Sequence, residues 1–188
     1  LASAPLAELV QQMLTDYEFE AFDVGGLFGV VPGYVIDRIM AARDALQPLE
    51  LGYFFDSIES AGKIHFRHRA GEAAVATLDV DGLVETRPGA SLFSLTRGQE
   101  TELPATAKLR FISAEQDYQQ AVAEARRLAG ASGRTAQADL AIVLDTPLAG
   151  QIAETWLFET WAARERASFV LPPSALSVEP GDLVRLTK

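Results

Sequence analysis

The chain has 188 residues, 48% of them hydrophobic and 22% charged, which is the composition of a globular protein large enough for one domain or two small ones. Its formal net charge is −10, with 26 acidic against 16 basic residues, which argues against nucleic-acid binding through clustered Lys and Arg and suits a wall that DNA slides past without sticking. It contains no cysteine, which excludes disulfides and thiolate metal sites, and its apolar runs are too short for membrane insertion.

Residues 1–70 predict a small α+β unit of two helices and a β-hairpin. Apolar side chains between Leu6 and Met13 recur at helical spacing, which indicates a first amphipathic helix. A second helix is expected over residues 40–51, where Pro48 should kink or shorten it, because proline lacks the N–H that a helix interior needs. Two alternating runs flank the sequence Ala-Gly-Lys at residues 61–63 and predict the hairpin.

Residues 71–188 predict a mainly β region with one long helix, because the chain changes there to short apolar runs punctuated by proline. Asp81-Gly82 lies between two such runs and predicts a hairpin. Pro180-Gly181-Asp182 predicts a tight turn into a final strand. Residues 117–128 leave helix and strand open, since their Ala, Glu, Gln and Arg content favours a helix but their apolar residues form no helical stripe.

No motif in the chain predicts catalysis, a cofactor or a metal ion. His65 and His68 are three residues apart on a predicted strand, so their side chains point to opposite faces and cannot hold one ion together. The glycines within residues 25–29 lack the pattern of a dinucleotide site, and no Gly-x-Ser-x-Gly sequence is present. Carboxylate pairs such as Asp79 and Asp81 are not placed beside any predicted pocket. We therefore expect a protein that is not an enzyme.

Both tryptophans, Trp156 and Trp161, lie in a helix predicted over residues 149–167. At 100° per residue, Trp156 falls on an apolar stripe that should face the core, whereas Trp161 falls about 140° away and Phe158 further round. Either both sides are buried within one domain, or Trp161 and Phe158 contact a neighbouring subdomain or subunit. Aromatic residues and Arg are enriched at interfaces, so Trp161, Phe158 and Arg164 are the candidate interface residues.

Two long segments carry a resemblance to a known family. The first reads "GYVIDRIMAARDALQPLELGYFFDSIESAGKIHFRHR" and the second reads "AETWLFETWAARERASFVLPPSALSVEPGDLV". They resemble, in the same order, two segments of the large phage-tail-like proteins of alphaproteobacterial gene transfer agents and related prophages. Together the two segments cover about a third of the chain.

The resemblance implies a structural, non-enzymatic baseplate hub or tail-tip protein of a phage-like particle, which assembles in the bacterial host cytoplasm. Such hubs form rings, usually trimeric, that continue the tail tube towards the host and bind other tail and baseplate proteins. Their tube domains are β-barrels or sandwiches with a flanking helix and a smaller inserted α+β domain. On that pattern residues 1–70 would be the inserted domain and residues 71–188 an incomplete tube domain, with residues 117–128 as a strand and further strands beyond Leu1 and Lys188.

Two rival hypotheses also fit the sequence. A carbohydrate-binding or cell-surface-binding module of a tail protein would use an exposed Trp161 to stack on sugars. A non-catalytic part of a peptidoglycan hydrolase is the second rival, because full-length relatives of the resembled family often carry a glycosidase-like domain, although no residue here matches a glycosidase site. An exposed Trp161 beside a groove would favour the first rival, and a buried Trp161 would remove it.

Overall fold

A computed structural model describes residues 3–69, 73–128, 130 and 132–187. Within these residues the fold is α+β, as predicted. It has three helices, α1 (Leu6–Asp16), α2 (Ala42–Tyr53) and α3 (Thr146–Ala162). Its strands are β1 (Ala4–Pro5), β2 (Phe22–Gly26), β3 (Val30–Val31), β4 (Phe55–Ser60), β5 (Lys63–His68), β6 (Ala76–Asp79), β7 (Phe93–Arg97), β8 (Pro104–Ser113), β9 (Gln119–Arg126), β10 (Arg134–Leu144), β11 (Glu165–Phe169) and β12 (Val184–Thr187).

The first part of the chain forms the predicted pair of helices and the predicted hairpin. Strands β4 and β5 pair antiparallel, and Ala61 and Gly62 between them both have positive φ, as a tight type I′ turn requires. Strand β2 adds to the hairpin as a parallel neighbour of β5. Helix α2 continues past Pro48 to Tyr53, because its buried face offsets the hydrogen bond that Pro48 cannot donate; that face consists of Ala45, Leu46, Leu49 and Gly52.

The main sheet of the second part has the strand order β10-β8-β9. The central strand β8 runs parallel to β10 and antiparallel to β9. Helix α3 packs against β8 and β9, and α2 packs against β10. The helices cover the buried side chains of the sheet, such as Leu109, Phe111 and Ile142. One hydrophobic core therefore joins residues from both parts of the chain.

The ambiguous residues 117–128 contain the whole of strand β9 (Gln119–Arg126), as the family resemblance implied. Alternate residues Ala121, Ala123 and Ala125 face the sheet's buried side, while Val122 and Glu124 face solvent. This alternation has the period of a strand, so tertiary pairing with β8 overrides the helical propensity of the segment.

The hairpin predicted at Asp81-Gly82 is wrong. The Asp79 side chain accepts a hydrogen bond from the Asp81 N–H at 3.0 Å and begins a short 3₁₀ turn at Val80–Gly82. Gly82 does not have the positive φ that a type I′ hairpin turn needs. Strand β6 pairs instead with the distant strand β12, in parallel.

The β region does not close into a barrel within the described residues. Three strands are too few to close a sheet on itself, and the two further pairs, β6–β12 and β7–β11, form separate two-stranded sheets.

The end predicted for the long helix is wrong, because α3 stops at Ala162 rather than near residue 167. The chain turns there so that Glu165–Phe169 can pair with β7 as strand β11.

The outer edge of β10 is partly covered by the first part of the chain. Gly33 O accepts a hydrogen bond from the Val143 N–H at 2.8 Å, and Ala141 O accepts one from the Val35 N–H at 2.9 Å. The Tyr53 hydroxyl donates a hydrogen bond to Val30 O at 2.8 Å, and burial raises the pKa of Tyr53 to about 12.

The domain boundary predicted at residues 70–71 lies outside the described residues and stays a prediction.

We expect Gly52→Ala to lower the free energy of unfolding by about 1–2 kcal/mol. An alanine Cβ would lie 2.7 Å from the Cδ1 atom of the fully buried Ile142, and overpacking of this kind costs more than the helix propensity gained. Ile142→Val removes the obstructing methyl group, so the double variant should recover most of the loss. Urea unfolding of the four proteins measures this coupling.

Gly150→Ala in α3 is the matched control, since nothing lies within 4 Å of the added Cβ. It should stabilise the protein by up to about 1 kcal/mol. Strictly additive effects of Gly52→Ala and Ile142→Val would show that α2 and β10 do not pack as described.

Candidate assembly interface

Helix α3 begins with a strong local signal and lies across the sheet. The Asp145 side chain accepts a hydrogen bond from the Leu148 N–H at 2.7 Å, and Pro147 occupies the first turn, where a missing N–H costs nothing. The helix then packs against β8 and β9. Its buried residues are Ala149, Ile152, Ala153, Leu157 and Trp161.

The buried face of α3 differs from the predicted stripe. Trp161 is only 6% exposed, whereas Trp156, the predicted centre of the stripe, is half-buried. On a helical projection the buried face spans about 180°, from Ile152 to Trp161, so it includes both tryptophans. Phe158 lies outside it and is 74% exposed. Trp156 and Phe158 therefore lie on different sides of α3, as predicted. The prediction that the core-facing side of α3 contains Trp156 but not Trp161 is wrong.

Trp161 is held by contacts from three directions within its own chain. Its indole N–H donates to Pro104 O at 2.8 Å. The guanidinium carbon of Arg127 lies 3.9 Å from the ring centre, and that of Arg164 lies 5.5 Å away. Arg164 also donates to Glu100 Oε1 at 2.7 Å. Of the three candidate interface residues, the structure thus places Trp161 and Arg164 in intramolecular contacts and Phe158 on the surface.

Phe158 belongs to a stripe on the outer side of α3 that sequence reasoning missed. Leu148, Gln151, Thr155 and Phe158 follow one another at helical spacing, and we call them the outer stripe. Leu148 at its other end is 41% exposed. The available signal was the spacing of Leu148 and Phe158, but the predicted helix began at residue 149 and so excluded Leu148.

An apolar groove runs beside the outer stripe. Its walls include Phe28, Tyr53, Phe54, Leu148 and Thr155. Phe28 is 69% exposed, and its ring contacts the His68 ring in a tilted arrangement at a centroid distance of 3.9 Å. The groove and the outer stripe together form an apolar surface at the junction of the two parts of the chain, which is where a partner's side chains could be buried.

An ion-pair network fixes the hairpin relative to α3 next to Phe158. Arg69 donates to Asp56 at 3.0 Å and to Glu159 at 2.9 Å. Burial alone would lower the pKa of Arg69, but the hydrogen bonds and charges of Asp56 and Glu159 outweigh it and raise that pKa. Arg69 therefore remains cationic and links β4 to α3.

The two histidines have different partners. His65 Nδ1 lies 3.4 Å from Asp23 Oδ2. His68 Nδ1 lies 2.9 Å from Tyr53 O, and its Nε2 accepts a hydrogen bond from the Phe28 N–H at 3.1 Å. Across the described ranges, no three His, Asp or Glu side chains converge as ligands of a metal ion would.

The chain is similar in sequence to one protein family and in structure to two solved proteins. The chain matches the model of the family described as "Putative phage tail protein" over residues 41–188. It belongs to this phage tail protein family. The chain is also similar to a chain of the virion of a native gene transfer agent (GTA) particle, with 33% sequence identity, a TM-score of 0.91 and coverage of 99% of its own length.

A second solved structure shares the fold of this family member. It is the tail protein from Neisseria meningitidis MC58, with 10% identity and a TM-score of 0.57 over 98% of this chain. At that identity the similarity shows the fold alone. This chain spans 42% of the GTA particle chain and 57% of the Neisseria chain. No curated protein matches it significantly.

The helices of the described part include none that is both long enough and apolar enough to cross a membrane. The longest, α3, has 17 residues, and its apolar side chains are used in packing against the sheet and in the outer stripe.

We expect Trp161→Ala to lower the free energy of unfolding by about 3–5 kcal/mol, because it empties a buried site at the contact between α3 and the sheet. Trp161→Phe should cost less, about 1–2 kcal/mol, since it mainly leaves Pro104 O without its donor. Phe158→Ala should change stability by no more than about 0.5 kcal/mol, because that side chain is exposed. Urea unfolding followed by circular dichroism compares the three. A Phe158→Ala variant as unstable as Trp161→Ala would contradict this assignment of faces.

Proposed function

We propose that this phage tail protein is a structural component of the baseplate hub at the tail tip of a phage-like particle. In this role it forms part of the wall of a conduit towards the host cell. The similarity to the GTA virion chain over nearly the whole length of this chain is the observation that carries the proposal. The role is non-enzymatic: the chain supplies a rigid wall and contact surfaces, and its membership of a tail protein family supports this.

The two-sided architecture of the main sheet fits a wall. Helices α2 and α3 cover one face of the sheet. The opposite face is accessible at polar side chains such as Gln120 and Gln137, although Gly33 covers Val143 at the end of β10. A wall needs one side for neighbouring proteins and one side for the channel. We assign the helix-covered side to the neighbours and the accessible side to the channel.

The edge of strand β9 offers a contact for a second copy of the chain. In the part of the chain that the structure describes, β9 (Gln119–Arg126) pairs only with β8, so its other edge has unpaired N–H and C=O groups. Exposed edges of this length pair readily with another strand. A head-to-tail contact, in which this edge meets a different surface of the next copy, closes into a ring when the rotation allows it, and we propose a trimeric ring in the full-length protein.

The outer stripe and the groove beside it are the proposed contact for other tail or baseplate proteins. Phe158 supplies an exposed aromatic side chain at one end, and Phe28 supplies another on the far wall of the groove. Exposed aromatic side chains next to a groove are typical anchors of protein interfaces.

The rival carbohydrate-binding hypothesis loses the residue on which it depended. Trp161 is buried. The Arg127 guanidinium lies over its ring, and its indole N–H donates a hydrogen bond to Pro104 O. No face of this indole is free to stack on a sugar, so we favour the structural hub.

Radial labelling of assembled particles tests the conduit. This chain has no cysteine. With any cysteine elsewhere in the full-length protein replaced by Ser, Gln137→Cys on the accessible face and Gln151→Cys on the outer stripe can each carry a maleimide–gold label. We expect averaged electron micrographs to show both labels at the tail tip, with the Gln137 label closer to the tail axis. Labels elsewhere in the particle would overturn the hub, and the reverse radial order would overturn the assignment of faces.

Substitution of Phe158 in the full-length protein tests the partner surface. Phe158→Asp should leave the protein folded but reduce its incorporation into tails at least several-fold, because it places a charge in an apolar contact. Phe158→Leu keeps the site apolar and should be incorporated nearly normally. Quantitative immunoblots of purified particles measure incorporation, and normal incorporation of the Asp variant would exclude this contact.

A further inference from the structure

The face of the main sheet that points away from α2 and α3 carries both signs of charge, and we call it the open face. Strand alternation places these side chains together, because the residues between them, such as Leu109 and Ala123, are buried on the other side. The charged members of the open face are Lys108, Arg110, Glu124, Arg126 and Asp139.

Two ion pairs between neighbouring strands join these charges. Lys108 Nζ lies 3.5 Å from Glu124 Oε2, and Arg110 Nε lies 3.1 Å from Asp139 Oδ1. Each pair joins residues that are direct neighbours in the strand register. The four side chains remain 42–69% exposed, and exposed ion pairs contribute only about 0–1 kcal/mol to stability. Their main physical effect is therefore on the charge that the open face presents.

The charge of the open face differs from that of the whole chain. Its three cations and two carboxylates give it a charge of +1, whereas the chain carries −10. Asp37, Arg38 and Asp44 line a recess beside Arg110 and Asp139, and adding their charges makes the local balance zero. The acidic wall that the net charge suggested is therefore not found on this face.

We propose that Glu124 and Asp139 act as built-in counterions that prevent the open face from binding duplex DNA. Without them, Lys108, Arg110 and Arg126 would form a cationic patch, and phosphates that met it would release condensed counterions and bind. With the carboxylates in place, two of the three cations are already neutralised, so a phosphate gains little by approaching. An acidic face would repel DNA, and a basic face would retain it, whereas this face does neither.

The biological meaning of this inference rests on the proposed function, in which the open face borders the path of DNA. The masking itself is a property of the chain and is tested on the chain alone. DNA binding and radial labelling can therefore fail independently: unmasked variants that do not bind DNA would remove the masking role, and misplaced labels would remove the conduit.

The test compares DNA binding by variants that differ only in where two carboxylates are removed. Glu124→Gln with Asp139→Asn frees Lys108 and Arg110 on the open face. The control combines Glu100→Gln with Glu165→Gln, which lie outside the open face. It frees Arg164, which Glu100 contacts at 2.7 Å, and Arg97, which Glu165 contacts at 3.1 Å. Both double variants change the net charge from −10 to −8, since each removes two acids. Fluorescence anisotropy of a labelled DNA duplex measures affinity across a series of salt concentrations.

We expect the open-face variant to bind duplex DNA about tenfold more tightly than the unmodified chain at low salt, with a salt dependence steeper by about two released counterions. Replacing the same two carboxylates by Lys should strengthen binding further. The control should bind no better than the unmodified chain. Equal binding by the open-face and control variants would overturn the proposal, and so would tight binding by the unmodified chain. Circular dichroism confirms that each variant is folded.

Discussion

The packing of α3 across β8 and β9 is the contact on which the rest of the structure depends. A three-stranded sheet has no way to bury its own apolar face, and here Leu109, Phe111 and the alanines of β9 are covered by the helix. At one end of α3, the Trp161 indole N–H donates a hydrogen bond to Pro104 O. Arg69 donates to Glu159 and so links the hairpin to the same helix. One helix therefore holds the sheet and the hairpin in a fixed relation.

This contact also gives the sheet two different sides. Because α3 and α2 cover the side of the sheet that bears Leu109, Phe111 and Ile142, the open face carries mainly polar residues and exposed ion pairs, with Val122 exposed among them. The strand period of two produces this separation, because consecutive residues of a strand point to opposite faces of the sheet. The Ala-rich sequence of β9 follows from the same arrangement: small residues at positions 121, 123 and 125 let α3 approach the sheet closely.

Local signals in the sequence predicted local structure well, and long-range pairing poorly. Ala61-Gly62 predicted its hairpin because a type I′ turn is decided by those two residues. Asp81-Gly82 has the same kind of signal but failed, because Asp79 caps a 3₁₀ turn and β6 finds its partner near the other end of the chain. The end of α3 failed similarly, since pairing with β7 decides it. For the candidate site, Phe158 was found by angular position, whereas Leu148 and Phe28 depend on the tertiary fold.

The distribution of large side chains around α3 bears on whether its outer side stays in water. A helix at the surface of a domain normally has one apolar stripe and a polar face. Helix α3 buries about half of its circumference and still exposes Leu148 and Phe158, beside a groove whose far wall bears Phe28. Neither side chain contributes to the core, so folding gives no reason for their being apolar. Contact with a second protein gives one, because burial of those side chains would then stabilise the assembly rather than the chain.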